Sequence, residues 1–290
     1  MTLTKLRLGV SLLLGIGTAH ATTVIIPQSA LIPSTTYYTE SIGGGIGSIV
    51  VMTDGGNEPG VGDPTGRNDD GFRGPIGLGF SLNFFGNTYS QIFANNNGNV
   101  SFTDGIPAFT PQGPQGATVP VISPFFGDVD TRNAASGVLH VRSDISNEII
   151  LTWDQVGYFG SHADKLDSFQ LVLRSSNFAV PAGEGQIGFF YKGMGWETGD
   201  ASGGSGGFGG SPAAVGFGDG SANGSILFGS TQNGIAAEVA NHHIWFALSN
   251  SGIPTTAPES PSTVPEPAVT MLLGSGLVLA SAVGKKLFGR

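Results

Sequence analysis

The 290-residue sequence contains no cysteine. That rules out a disulfide framework, a thiolate zinc centre and a cysteine nucleophile. Charge is also scarce, with Asp, Glu, Lys and Arg making up 11% of the chain. Cations are the rarer sign, 12 Lys and Arg against 21 Asp and Glu. Between residues 22 and 263 the imbalance widens to 20 acidic against 7 basic residues, a net charge near −13. Nucleic acid and anionic lipid are both held by basic surfaces, so neither suits this chain. Divalent cations and neutral glycans do. Helical periodicity is missing from the same region, and no P-loop or zinc-ligand spacing occurs. Gly203 to Gly207 formally matches G-x-S-x-G, and Gly204 to Gly209 matches G-x-G-x-x-G. Both lie in low-complexity sequence without the strand and helix those motifs need, so they carry no catalytic reading. The expectation is a protein that is not an enzyme.

What is present is unusual first at the two ends. Lys5 and Arg7 precede an apolar run from Leu8 to Ile16, and Ala19-His20-Ala21 forms a small-x-small cleavage site. This is the pattern of a secretory signal peptide over residues 1–21, cleaved after Ala21. At the other end, a Pro/Ser/Thr-rich stretch at 251–263 reads as an extended linker. Pro265-Glu266-Pro267 follows, then an uncharged apolar segment at 268–284, then Lys285, Lys286 and Arg290. At 1.5 Å per residue that segment makes a helix of about 26 Å, the lower limit for a transmembrane span. The cations behind it would remain cytoplasmic. Linker, Pro-Glu-Pro, apolar helix and basic end, in this order over 264–290, resemble the PEP-CTERM sorting signal of bacteria that build exopolysaccharide matrices. The resemblance implies recognition by an exosortase, cleavage near Pro265, Glu266 and Pro267, and release or attachment at the cell surface. The membrane is then met only through the C-terminal helix, transiently, after export across the inner membrane.

About 230 residues lie between these signals (22–250), enough for one β domain with a real core. Glycine, at 48 residues, is more than twice the usual ~7%. Leu78, Phe80, Leu82 and Phe84 alternate with small and polar residues, which predicts a strand with those four inward. A strand near Gln91 to Asn95 meets Asn97-Gly98, a strong hairpin signal, and Val100 and Phe102 resume the apolar face. Val138 to Arg142 and Glu148 to Val156 predict a second hairpin, with Ile149, Leu151 and Trp153 on one face. Phe169, Leu171 and Leu173 repeat the alternation, as do Ile187, Phe189 and Tyr191. Shorter strands are expected at Ala214 to Phe217, Ile226 to Phe228 and His243 to Leu248. Asp54 to Arg73 and Ala201 to Ser211 read as loops. Many short strands with Gly and Pro turns give an all-β, antiparallel sandwich-like domain.

The densest stretch is Val121 to Arg132, which places Asp128 and Asp130 two apart behind a Phe pair. If the chain is extended there, Phe126, Asp128 and Asp130 share one face, and Pro124 marks an edge or a strand start. Two such carboxylates with amide oxygens from Asn97, Asn95 or Asn99 would suit Ca²⁺, and Asp69 and Asp70 could supply more. In the competing reading one Asp pairs with Arg132 and takes backbone N–H bonds to fix a loop. Trp153, Tyr158, Trp196 and Trp245 raise a glycan-stacking reading. The in-strand pattern favours burial of Trp153 and Trp245, while Trp196, beside the glycine loop, is open to either. His242 and His243 are adjacent, face opposite ways in a strand, and do not share a metal.

Three pieces then line up in order. They are Asn83 to Gly86 with Asn97 to Phe102, Ile122 to Arg132, and Thr152 to Tyr158 followed by Asp167 to Leu173. Trp196 to Gly199 and Ala213 to Phe217 continue the series. Together, over about residues 80–248, they resemble the nidogen-like (NIDO) domain, an extracellular module associated with cell–matrix adhesion and without known catalytic machinery. The resemblance implies a non-catalytic exported adhesion or biofilm-matrix protein whose partners are matrix polysaccharide or surface proteins. It implies no required cofactor beyond the Ca²⁺ considered above. The disulfide-bearing domains that flank this module in animal proteins have no counterpart here, so no named ligand carries over. The alternative function is a carbohydrate-binding module of the exopolysaccharide matrix.

Overall fold

The computed structural model describes residues 22–258, apart from 57, 112, 115 and 116. The signal peptide with Ala21, the Pro265-Glu266-Pro267 motif and the helix expected at 268–284 lie outside the described residues. No described helix is long and apolar enough to cross a membrane.

The alternating apolar pattern becomes two sheets. One has seven strands in the order β1 (Thr23–Ile26), β13 (Gly224–Leu227), β12 (Ala214–Asp219), β7 (Pro120–Phe126), β6 (Asn99–Ser101), β5 (Asn87–Asn95) and β4 (Phe72–Phe84). The other has eight: β15 (Pro254–Thr256), β14 (His242–Leu248), β11 (Ile187–Met194), β10 (His162–Arg174), β9 (Glu148–Tyr158), β8 (Leu139–Arg142) and β3 (Ser48–Ile49) run in order, and β2 (Ile32–Pro33) pairs with β14 off this path. All pairings are antiparallel except β1 with β13. Two five-residue helices, α1 (Tyr38–Ile42) and α2 (Ile235–Val239), interrupt the β architecture. The fold is an all-β sandwich.

The inner faces meet in one cluster that draws on both sheets. Phe189 of the second sheet stacks on Phe217 of the first at 5.3 Å, and Phe246 meets Phe217 edge-on at 4.7 Å, geometries that aromatic quadrupoles favour. Ile149, Leu151, Trp153, Phe169, Leu171 and Leu173 all point into it, as the alternation predicts. So do Leu78, Leu82 and Phe84 of β4, with Phe80 half-buried at its margin. A smaller second cluster covers the outer face of the eight-stranded sheet, where Tyr38 of α1 packs on Ile150, Val172, Phe190 and Trp245. That cover explains why β9 and β10 are buried on both faces.

Two local readings change. Pro124 marks neither an edge nor a strand start, because β7 begins at Pro120 and is central, between β6 and β12. The proline is tolerated because β6 pairs only with Val121 and Ile122, and the register with β12 slips between Ser123 and Phe126. Its carbonyl is used, accepting the Tyr191 hydroxyl at 2.7 Å. The stretch read as linker from residue 251 opens with β15, which pairs with β14. Pro254 lies at the sheet's edge, where a missing N–H costs nothing.

Candidate acidic loop site

One end of the sandwich gathers the loop after β3, the β5–β6 turn, the chain after β7 and the loop after β11. The turn is the tightest element. Gly98 has φ +77°, and a Cβ there would fall 1.8 Å from the Phe125 carbonyl oxygen, so only glycine lets this turn dock on β7. Docking places Asn97 with its Oδ1 accepting the Val129 N–H at 2.9 Å and its Nδ2 donating to Asp70 Oδ1 at 2.7 Å. Asn96 Nδ2 donates to the Val129 carbonyl at 2.5 Å, and the Trp153 indole N–H donates to the Asn96 carbonyl at 2.9 Å. Asn95 and Asn99, considered as further amide ligands, bond each other at 2.7 Å inside the hairpin.

β7 stops at Phe126, and the chain breaks at Gly127 before pairing again as single bridges, Val129 with Tyr158 and Asp130 with Asp69. This break gives the two carboxylates different surroundings. Asp130 is buried and fully engaged. Arg132 donates Nε to its Oδ1 at 2.9 Å and Nη2 to its Oδ2 at 2.5 Å, and the Arg132 and Ser161 backbone N–H groups add bonds at 2.9 and 2.7 Å. The loop-fixing alternative therefore describes Asp130. Arg132 also reaches Asp69 Oδ2 at 2.8 Å. The hydrogen bonds it donates to Asp130 and the charges of Asp69 and Asp130 hold the guanidinium above its usual range, against the opposing effect of burial.

Asp128 is the opposite case. It is 1% exposed, and neither carboxylate oxygen has a hydrogen-bond partner. Burial first, then the negative charges of Asp70, Asp69 and Asp130, push its pKa up to about 8. Asp69 Oδ1 is likewise buried and unpartnered. Burial, then Asp130 and Asp70, raises Asp69 to about 7. Asp70 rises to about 6, mainly through burial and Glu58, with the Asn97 bond opposing.

Glu58, which no motif or spacing in the sequence singles out, joins them. The loop between β3 and β4 brings it back so that one carboxylate oxygen each from Glu58, Asp69 and Asp70 lies within 4.8 Å of the others. Arg67 clamps this loop by donating to the carbonyls of Thr131, Asn133, Ser136 and Ala134. The only available signal was the density of Asp, Glu and Gly in residues 54–71.

The glycine-rich loop closes the other side. Trp196 is fully buried, its indole N–H donating to the Val156 carbonyl at 3.0 Å. The Glu197 and Thr198 N–H groups donate to Gly207, which folds the loop over the ring. Trp153, Tyr158 and Trp245 are buried too, at 5% exposure or less. None of these rings is a surface platform for a sugar. His243 stacks on Phe190 and His242 Nδ1 turns to the Ala240 carbonyl, so the pair does not converge.

The structure is thus an all-β sandwich with buried acidic groups gathered among loops at one end. Residues 53–253 match the model of the family described as NIDO related, and the chain belongs to that family. It is 30% identical over 187 residues to alpha-tectorin from Gallus gallus, which covers 54% of this chain and 8% of the relative. Mouse alpha-tectorin is 31% identical over the same length. Nidogen from Drosophila melanogaster is 26% identical over 149 residues, 42% of this chain and 11% of the relative. The chain thus spans about a tenth of the length of these relatives. No solved structure matches it.

Proposed function

We propose that this chain is an exported, non-catalytic adhesion module that holds matrix material at the cell surface. The observation that carries the reading is that two long loops, 54–71 and 199–211, both close on the chain after β7 at one end of the sandwich. The Asn68 N–H donates to Thr131 Oγ1 at 2.8 Å and Asp69 bridges Asp130, while a Cβ on Gly199 would lie 2.3 Å from Asp128 Oδ2, so each loop is anchored beside the acidic groups. Rigid scaffolds present variable binding chemistry on loops of this kind. Membership of a family that includes alpha-tectorin and nidogen supports an extracellular-matrix setting. Asp130 is spent on Arg132 and Ser161, which supports a role without turnover.

The N-terminal signal delivers the chain across the inner membrane, and an exosortase cuts near Pro265-Glu266-Pro267. The mature domain then meets matrix polysaccharide or surface proteins through many weak contacts, where copy number raises effective concentration. Beads coated with the protein should clump when native matrix is added, while uncoated beads stay dispersed. Equal dispersion of both bead types would sink the adhesion reading.

A further inference from the structure

The acidic end is built for an ion that its own side chains do not supply. Five carboxylates face one another there, from Glu58, Asp69, Asp70, Asp128 and Asp130, and their ion-pair partner among the described residues is Arg132 alone. Arg132 satisfies Asp130 and one oxygen of Asp69. What remains is a convergent set of oxygens. Glu58, Asp69 and Asp70 offer one each within 4.8 Å of the others, close to twice the 2.3–2.6 Å at which Ca²⁺ holds oxygen ligands. The independent sign of a missing partner is Asp128, 1% exposed with both oxygens bare, whose strongest charged neighbours are Asp70 and Asp69. A buried carboxylate without a hydrogen bond or counter-charge is costly, so native folds supply a partner.

We propose that Glu58, Asp69 and Asp70 bind one Ca²⁺ ion, whose charge also offsets the buried Asp128 carboxylate beyond the ligands. The donor set is oxygen alone, with no imidazole or thiolate, which selects a hard cation over zinc or copper. Mg²⁺ demands near-ideal octahedral geometry at 2.0–2.1 Å, whereas Ca²⁺ accepts six to eight oxygens in irregular arrangements and completes its shell with water. Asn97 and Asp130, the other ligands expected from sequence, take different roles. Asn97 spends its amide oxygen on Val129 and positions Asp70 through its Nδ2, and Asp130 anchors Arg132. The ion cross-links Glu58 to Asp69 and Asp70 within the loop at 54–71, so it orders that loop. The site stands on these contacts alone and does not depend on the adhesion reading.

The test uses full-length protein stripped with EDTA and dialysed, titrated with CaCl₂ and separately with MgCl₂ by calorimetry, with melting curves alongside. One Ca²⁺ per chain is expected, with a melting temperature that rises as Ca²⁺ is added, and with Mg²⁺ binding at least about tenfold weaker. Asp70→Asn is the first variant, because Asp70 has φ +60° and asparagine tolerates that left-handed conformation. It and Asp128→Asn should each lower Ca²⁺ affinity by about tenfold or more. Asp144→Asn, an exposed acid paired with Arg142, should change nothing. Absence of binding heat and of any thermal shift in the wild type at millimolar Ca²⁺ would overturn the site. Undiminished binding in both folded variants would do the same, since the ion would then lie elsewhere.

Discussion

Gly199 makes the room that Asp128 occupies. A methyl group at position 199 would stand 2.3 Å from Asp128 Oδ2 and 2.5 Å from its Cβ, far inside van der Waals contact. The backbone is not the constraint, because Gly199 has φ −77°, open to any residue. Its small size is what lets the glycine-rich loop close over the carboxylate. Gly199→Ala should therefore destabilise the EDTA-treated protein by about 1–3 kcal/mol through overpacking. Asp128→Ala in the same background should recover part of that loss. Urea denaturation of both singles and the double gives the coupling, expected to exceed about 0.5 kcal/mol. Strict additivity would mean that the two residues do not compete for this space.

Arg174 is the second pressure point, on the outer face of the eight-stranded sheet. It is fully buried, pairs with Glu148 and with Glu184 at 2.7 Å each, and lies over the Tyr38, Phe178 and Trp245 rings at 4.9, 4.4 and 4.3 Å. Arg174→Ala leaves Glu148 buried without its counter-charge and empties the aromatic cage. The expected cost is about 3–5 kcal/mol, read as a lower urea midpoint. Arg174→Lys should not rescue it, because an ammonium cannot stack in a planar cage. A loss below about 1 kcal/mol for either variant would contradict this account.

Asp167 sets a pH dependence away from the acidic loops. Its Oδ1 accepts the Gly195 and Trp196 N–H groups at 2.6 and 3.1 Å, while Oδ2 is buried without a partner. Burial raises its pKa well above the ordinary 3.8, with the two N–H bonds opposing and Glu197 adding a smaller push. The folded chain thus holds this proton more tightly than the unfolded chain. The associated stability is fully present below about pH 4 and is lost as pH rises towards the folded value. Asp167→Asn keeps the Oδ1 acceptor and cannot ionise. Relative to wild type, the variant should gain stability in urea melts as pH rises above about 4. A constant difference across that range would show that Asp167 is already ionised in the fold.

The strands were legible because a period of two is a property of the local sequence. Leu78, Leu82, Phe84, Ile149, Leu151 and Trp153 entered the core as their alternation required. The Asn97-Gly98 turn was legible for the same reason. What was hidden depended on breaks and returns of the chain. Nothing in the spacing of Asp128 and Asp130 reveals that Gly127 ends β7 and sends the two carboxylates to different partners. Glu58 stands eleven residues from Asp69 in sequence and meets it where the loop folds back, with Asn68 Nδ2 and the Asp69 N–H both donating to the Pro59 carbonyl. Trp196 is buried because Gly207 approaches so closely that a Cβ there would lie 2.9 Å from the Trp196 Cβ. Low-complexity sequence reads as an open loop until such an approach is seen.

The central claim is that this module gives cohesion and not synthesis. Cells lacking the chain should be compared with wild type for sedimentation of aggregates and for total matrix polysaccharide, with the chain restored as a control. The account predicts weaker aggregation, unchanged polysaccharide, and recovery when the chain is returned. Aggregation at the wild-type level in the deleted cells, or a fall that tracks lost polysaccharide, would contradict it.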